Sequence, residues 1–401
     1  MHLEAAASIA VPFSGVVVGL IVFRLLRQYR VPPVVVFLSV GIVLRVAFRA
    51  ILDPASLLMM TRPFTNSCLC LVGFVIGSHL NAEATAHVGL DFVAYVVLLF
   101  VTTYAIVHIA ATFLFPSLHV FARLTASIAL ERSSPEALAG VNEAKSAGPF
   151  TTSTILTAAA MDSVAVIAFT IAAASLGADS AFVAVLRTAA ATFFAWGVGC
   201  LVVYFVGLQW QRPAWAAVAL VAALLLCNQF MHIELIAAAI GVGTWANYHA
   251  PHPITALAEH HEVAIHAVLF VLAGCRVDVL AFSPAAMGGA LVLYAARMGG
   301  LYVGAGIGSA AVGWAFFHGR CLGLVTQIAI ALALVVRMEE LFPQSASLAM
   351  ATMGAVLLAL FSGPLALQVA LRWAGETASS KREDGGMSPA PGEPPSRGEP
   401  A

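Results

Sequence analysis

Long apolar segments alternate with short polar stretches along most of the chain. A helix needs roughly 20 mostly apolar residues to cross a bilayer, and about thirteen segments meet that requirement. They are centred near Val17, Ser39, Val72, Val101, Leu130, Asp162, Phe194, Val221, Ile240, Leu272, Ala295, Ala329 and Leu357. Glycine and proline interrupt several segments, which a bilayer tolerates only where protein or water satisfies the freed backbone groups. The pattern therefore predicts an all-α polytopic membrane protein.

The composition agrees with this pattern. Hydrophobic residues make up 61% of the chain and charged residues 10%, whereas soluble proteins average about 45–50% and about 25%. The formal net charge of −1 gives no indication of a nucleic-acid partner. The six cysteines lack metal-ligand spacing and are interpreted as small apolar side chains. No feature of the sequence indicates a bound cofactor.

The chain divides into two regions of different composition. Residues 1–375 contain all the predicted spans. Residues 376–401 are rich in proline, glycine, serine and charge, and such a segment cannot bury enough apolar surface to fold alone. We therefore predict a membrane domain followed by a disordered tail, with no soluble catalytic domain.

Basic residues between the spans predict the orientation. Cytoplasmic connections carry the excess of lysine and arginine, and an odd number of spans places the two termini on opposite sides. The richer set is Arg24, Arg27, Arg30, Lys145, Arg212, Arg320, Arg372, Lys381 and Arg382. The poorer set is Arg49, Arg62, Arg187, Arg276 and Arg337. The N-terminus is thus predicted outside and the C-terminus in the cytoplasm, in a membrane that the sequence does not identify.

Asp162 is the only charged residue in the sixth predicted span. An aspartate at the centre of a bilayer costs roughly 2.5–3.5 kcal/mol, and such groups usually face a partner or a water-filled path. The i, i+4 stripe that contains it is small and partly polar; it consists of Thr154, Ala158, Asp162, Val166 and Thr170. A carboxylate there could bind a cation or a proton in competition. The alternative is a structural aspartate paired to a neighbouring helix.

A charged run interrupts the fifth predicted span at residues 131–136. Pro135 lacks an amide hydrogen and biases Ser134 away from helix. A helix broken at mid-membrane would expose backbone carbonyls and the hydroxyls of Ser133 and Ser134, and transporters build ion sites in this way. The alternative is a helix end followed by a solvated loop.

Arg297 lies within the eleventh predicted span. An arginine stays charged, so inside a membrane it needs an acidic partner or a hydrated pocket. The candidate partners are Glu131, Glu136 and Asp162. The alternatives are a side chain that reaches the membrane surface and a purely structural ion pair.

Histidines are concentrated after the ninth predicted span, at positions 249, 252, 260, 261 and 266. Three interpretations are open: a pH sensor, a metal site and a solvated loop. His108, inside the fourth span, is interpreted as a core residue rather than a proton relay.

The stretch 134–171 resembles the monovalent cation:proton antiporter superfamily. Members share a Ser/Asp-Pro break, a Lys-containing link, a Gly-Pro pair and a helix with a central Asp, matched here by Ser134-Pro135, Lys145, Gly148-Pro149 and Asp162. Further segments resemble the family in the same order: 64–81, 268–279, 296–308 with Arg297, 321–334 with Gln327, and 360–376 with its Gly-Glu ending.

The resemblance implies a sodium/proton antiporter-like fold with inverted repeats and two crossing broken helices. The transport core would comprise spans at about 91–178 and 284–375, and a dimerising scaffold would comprise spans at about 5–82 and 213–282. Asp162, Ser133, Ser134 and nearby carbonyls would bind Na⁺ or K⁺ in exchange for protons by alternating access. Arg297, Glu131, Glu136, Pro135 and Gln327 would support this site.

One departure from the family bears on the mechanism. Many members place Asp or Asn immediately before the ion-binding Asp, but this chain has Met161. A single ionisable group favours one-for-one, electroneutral exchange. The alternative is a channel-like or non-transporting homologue with a structural or regulatory role. No His-Glu-x-x-His, Gly-x-Ser-x-Gly or paired intramembrane Asp motif indicates an enzyme.

Overall fold

The structure is a computed structural model. It describes residues 2–26, 33–49, 54–79, 89–131, 146, 148–174, 181–209, 213–231, 233, 235–249, 260–312, 321–327, 331, 334–335, 338 and 341–376. Within these ranges all regular secondary structure is helical, which confirms the predicted all-α class. The predicted tail lies outside the described residues, apart from Glu376.

The α-helices follow the predicted spans closely. They are α1 His2–Leu26, α2 Pro33–Ala47, α3 Pro54–His79, α4 Leu90–Leu114, α5 Val120–Leu130, α6 Pro149–Ala174, α7 Ala181–Val202, α8 Pro213–Met231, α9 Leu235–His249, α10 Glu262–Arg276, α11 Pro284–Val312 and α12 Ala346–Trp373. A π-helix, Val203–Gln209, extends α7, and single 3₁₀ turns occur at Val279–Ala281 and Pro343–Ser345. Among the predicted centres, Leu130 closes α5 and Ala329 lies outside the described residues; the others each lie in a described helix.

Several helices have the length and the apolar surface of membrane spans. Within the part of the chain that the structure describes, six are long and apolar enough to cross a bilayer. Large apolar side chains project from their outer faces: Leu90 is 87% exposed, Phe113 82% and Phe230 76%. Such extensive apolar exposure is rare on soluble monomers, whereas lipid would cover it here. The chain is therefore an integral, multi-pass membrane protein.

Glycines allow two helix pairs to touch backbone to backbone. Where α2 crosses α10, a Cβ on Gly41 would lie 2.3 Å from the Val271 carbonyl oxygen and 2.8 Å from the Gly274 Cα. Where α3 crosses α9, a Cβ on Gly77 would lie 2.0 Å from the Ile240 carbonyl oxygen. Both crossings thus have a glycine at the point of closest approach.

The arginine-bearing helix α11 packs along α4 in the same manner. A Cβ on Gly300 would lie 2.8 Å from the Thr103 Cα, and a Cβ on Gly304 would lie 3.1 Å from the Leu99 carbonyl oxygen. Small residues at i, i+4 spacing let helices approach closely in membranes. This contact fixes the position of Arg297 on α11 relative to the neighbouring helix ends.

Candidate ion site at two helix ends

The guanidinium group of Arg297 connects the end of α5 to the segment 321–327. Its Nε donates to the carbonyl oxygen of Leu130 at 2.7 Å, at the end of α5. Its Nη1 and Nη2 donate to the carbonyl oxygens of Val325 and Leu324, at 2.9 and 3.0 Å. The Arg297 side chain is completely buried. The arginine therefore satisfies backbone acceptors from two segments that are far apart in sequence.

The segment that contains Leu324 and Val325 stops being helical where Arg297 contacts it. Residues 321–323 are helical, Leu324 forms a turn, and residues 325–327 are non-helical. Gln327 is fully buried, and its Nε2 also donates to the Leu130 carbonyl oxygen. The Leu130 carbonyl is thus an acceptor shared by α11 and the 321–327 segment. Gln327, which the sequence predicts as the polar centre of this segment, lies in its non-helical part.

The chemistry of helix ends explains why an arginine stands here. The last carbonyls of a helix lack intrahelical partners and carry a partial negative charge of about −0.5. In a bilayer no bulk water is available to satisfy them. A guanidinium offers five donors in a planar fork, so one side chain can satisfy several carbonyls at once. Arg297 therefore stabilises both helix ends.

Glu131 follows directly at the cap of α5. Its side chain is fully buried, and within the described part of the chain neither carboxylate oxygen has a hydrogen-bond partner. Glu131 and Arg297 carry opposite charges when both are ionised, and no ion pair within 4.0 Å joins these two described residues. Glu131 thus offers a long-range counter-charge, while the hydrogen bonds of Arg297 described above go to carbonyls.

Asp162 lies on α6 at the level of both helix ends. Its side chain is 2% exposed. Met161 packs in one buried cluster with Leu324, and Ala165 packs in another with Ile128. The helical turn that carries Asp162 therefore lies between the 321–327 segment and the end of α5.

A second contact brings α6 against the broken segment. A Cβ on Gly323 would lie 2.8 Å from the Thr154 Cγ2. Several buried side-chain oxygens in this region have no hydrogen-bond partner among the described residues: Thr154 Oγ1, Thr326 Oγ1 and Gln327 Oε1. Together with the buried carboxylates they give the region an excess of oxygen acceptors, which suits a small hard cation or water better than a closed apolar core.

Several predicted site residues lie outside the described part of the chain. These are Ser133, Ser134, Pro135, Glu136 and Lys145, so the predicted hydroxyl ligands stay a prediction. The end of α5 at Leu130 does place a helix terminus a few residues before the predicted break.

The histidines do not form a metal centre within the described residues. No group of three or more His, Cys, Asp or Glu side chains there could hold a metal ion. His249 contacts the Trp245 carbonyl oxygen at 2.9 Å, and His266 stacks on Phe270. His108 stacks on Tyr104, and its Nδ1 is buried without a hydrogen-bond partner among the described residues. His252 lies outside them.

The sequence analysis did not identify the buried carboxylate of Glu376 as a site residue. Glu376 is 8% exposed and its carboxylate contacts the first amides of α6. Two local sequence features could have indicated this residue: the Gly148-Pro149 pair and the Gly375-Glu376 ending. Nothing in the linear pattern indicates that these two features meet.

Comparisons with known proteins agree with this architecture. No protein-family model matches the sequence, and no curated protein does. Two structures of the sodium proton antiporter MjNhaP1 from Methanocaldococcus jannaschii are similar. One, at pH 8, has a TM-score of 0.70 and 14% identity, covering 93% of this chain and 98% of the other. The second, from electron microscopy, has a TM-score of 0.73 and 12% identity, covering 96% and 99%. Over nearly its whole length, this chain therefore has the fold of a sodium proton antiporter.

Proposed function

We propose that the protein is a secondary active transporter that exchanges protons for Na⁺ or K⁺. Asp162 would alternate between a protonated form and a cation-bound form. The supporting observation is the burial of Asp162 at the level where Arg297 joins the end of α5 to the 321–327 segment. A membrane-buried carboxylate beside helix ends is the arrangement by which transporters hold a cation or a proton.

The charges favour electroneutral exchange. Arg297 and Glu131 are both fully buried, and a carboxylate at Glu131 would offset the guanidinium charge within the site. Asp162 is then the carboxylate whose charge changes on binding. One proton or one monovalent cation neutralises it equally, and a one-for-one cycle moves no net charge.

Alternating access would follow from motion of the core spans, at about 91–178 and 284–375, against the scaffold spans, at about 5–82 and 213–282. The scaffold would form the contact of a homodimer in the lipid bilayer. Ser133, Ser134 and the nearby carbonyls would complete the coordination of the cation. The N-terminus would lie outside and the C-terminus in the cytoplasm.

The test is proton flux in proteoliposomes driven by Na⁺, K⁺ or Li⁺, with the wild-type chain compared with Asp162→Asn. We expect cation-dependent proton flux in the wild type and none in Asp162→Asn, because the amide can neither release a proton nor neutralise a cation. Unchanged flux in Asp162→Asn would refute the mechanism. A conductance far above carrier rates, or no flux from a well-folded wild type, would favour a channel-like or non-transporting protein.

Electroneutrality is tested in the same vesicles. With valinomycin and K⁺ setting the membrane potential, we expect the rate of Na⁺-driven exchange to be independent of voltage. A rate that follows the imposed potential would mean that a second group, with Glu131 as the first candidate, also changes its charge during the cycle.

A further inference from the structure

The carboxylate of Glu376 is bound at the N-terminus of the helix that carries Asp162. Its Oε1 accepts from the Phe150 amide at 2.8 Å. Its Oε2 accepts from the Thr151 amide at 2.8 Å and from the Thr151 hydroxyl at 2.7 Å. Charge-assisted bonds of this kind are shorter and stronger than neutral ones, and a negative charge is favoured at a helix N-terminus. One side chain therefore makes all three contacts to α6 from a position more than 200 residues away in sequence.

The end of α12 directs Glu376 towards α6. Gly375 adopts a left-handed conformation with φ of +71°, which glycine reaches without steric cost. The Glu376 amide donates to the Leu371 carbonyl at 3.2 Å, and the Gly375 amide donates to the Arg372 carbonyl at 3.0 Å. These two bonds form the Schellman motif that ends a helix and reverses the chain. The Ser146 hydroxyl also donates to the Glu376 backbone carbonyl at 2.9 Å.

The start of α6 is shaped for this carboxylate. Pro149 is the first helical residue and has no amide hydrogen, so the next two amides are the first donors available. A Cβ on Gly148 would lie 2.3 Å from the Glu376 Cδ, so a larger residue there would displace the carboxylate. Phe150, 2% exposed, packs in one cluster with Leu367 and Leu371 of α12.

We infer that Glu376 is a positioning residue for the ion site, and this inference rests on the proposed function. It holds α6 at a set height and rotation against α12, so that Asp162 stays level with the two helix ends. Asp162 lies thirteen residues after Pro149, about 20 Å along the helix at 1.5 Å per residue. A helix transmits an axial displacement over that distance with little loss, because its hydrogen-bonded backbone is stiff.

The experiment uses the full chain with Glu376→Gln, Glu376→Asp and Thr151→Val. Arg372→Gln is the matched control, since it removes an exposed charge from the same helix end. The first measurement is hydrogen exchange of the peptide that covers residues 149–156. We expect Glu376→Gln to speed exchange at amides 150 and 151 by about tenfold or more, as lost bonds to a charged group imply. Arg372→Gln should leave it unchanged.

The second measurement is the dependence of proton flux on cation concentration and pH. We expect Glu376→Gln to raise the KM for the cation by about tenfold, with a smaller change in maximal rate, because sub-ångström misplacement weakens a coordination site. The pH profile should shift with it. Glu376→Asp, which keeps the charge on a shorter side chain, should restore part of the affinity, and Thr151→Val should lose less than Glu376→Gln.

The outcomes separate this inference from the proposed function. Unchanged hydrogen exchange at residues 150 and 151 in Glu376→Gln would overturn the inference whatever the flux shows. Faster exchange with an unchanged KM and pH profile would also overturn it, since Glu376 would then be merely structural. Failure of the proposed function would give different results. Cation-dependent proton flux would persist in Asp162→Asn, or the wild type would show no such flux.

Discussion

Removing the guanidinium of Arg297 tests the physical argument for the two helix ends. Arg297→Met keeps a long unbranched side chain but has no donor. In this variant the carbonyls of Leu324 and Val325 lose the hydrogen bonds that Arg297 gives them. The Leu130 carbonyl keeps the bond from Gln327. The Val325 carbonyl then loses the donor that Arg297 supplies, and the buried Glu131 carboxyl loses the guanidinium as a counter-charge.

The magnitude follows from these bonds. An unsatisfied buried polar group costs about 1–3 kcal/mol, which applies to the Val325 carbonyl, and the bond lost at Leu324 adds about 0.5–1.5 kcal/mol. Folded proteins are stable by only about 5–15 kcal/mol, so Arg297→Met should lose a large share of its stability. Arg297→Lys keeps the charge but replaces a five-donor fork by a compact ammonium, and its loss should be smaller.

Thermal unfolding in detergent, followed by tryptophan fluorescence and size-exclusion chromatography, measures this order. We expect the wild type to be most stable, then Arg297→Lys, then Arg297→Met. Adding Glu131→Gln to Arg297→Met should recover part of the lost stability. The second substitution removes the buried carboxylate charge of Glu131, which has no counter-charge in the Arg297→Met variant. Adding Glu131→Gln to the wild type should not stabilise the protein.

Two results would refute this reasoning. If Arg297→Met unfolds at the wild-type temperature, Arg297 does not satisfy the helix ends in any energetically important way. If Glu131→Gln fails to improve Arg297→Met, Glu131 does not act as its counter-charge.

Three further predictions concern packing and the site. Gly300→Ala should destabilise the protein by about 1–3 kcal/mol in thermal unfolding, because its Cβ would meet Thr103 at 2.8 Å. The control Gly299→Ala should be neutral or slightly stabilising, because its Cβ would have nothing within 4 Å. Equal stabilities of the two variants would contradict the close contact of α11 with α4. Gln327→Leu should cost about 1 kcal/mol through loss of its bond to the Leu130 carbonyl, and a rise in stability would show that this bond is unimportant. Glu131→Gln should retain cation-dependent proton flux, and complete loss of flux would make Glu131 a second carrier of charge.

Local properties of the chain made much of the fold predictable. A spanning segment is recognised by its own apolar length, so all but one of the predicted centres, Ala329, lie inside described helices. Likewise, Asp162 is conspicuous because the residues around it are apolar, whatever lies next to it in space. The structure shows a buried aspartate there. The Na⁺ or K⁺ preference was not predictable, since it depends on the size of a cavity.

The partners of these residues were decided by tertiary structure. The sequence indicated acidic residues as candidates for Arg297. Among the described residues its hydrogen bonds run to the carbonyls of Leu130, Leu324 and Val325, and the candidate Glu136 lies outside the described residues. Every residue has a backbone carbonyl, so the sequence of side chains does not indicate which carbonyls accept these hydrogen bonds. Whether they are free depends on where a helix stops and on what lies across from it.

Glu376 shows the same limit over the longest distance. Its sequence neighbourhood has the glycine that ends a helix, which is a local signal. Its binding partners begin at Phe150, 226 positions earlier. The sequence by itself determined the spans, the helix ends and the isolated Asp162, because lipid acts on each segment separately. Only the folded chain decided which helix ends meet, because that depends on close packing between segments at glycines and on hydrogen bonds that no bulk water can replace.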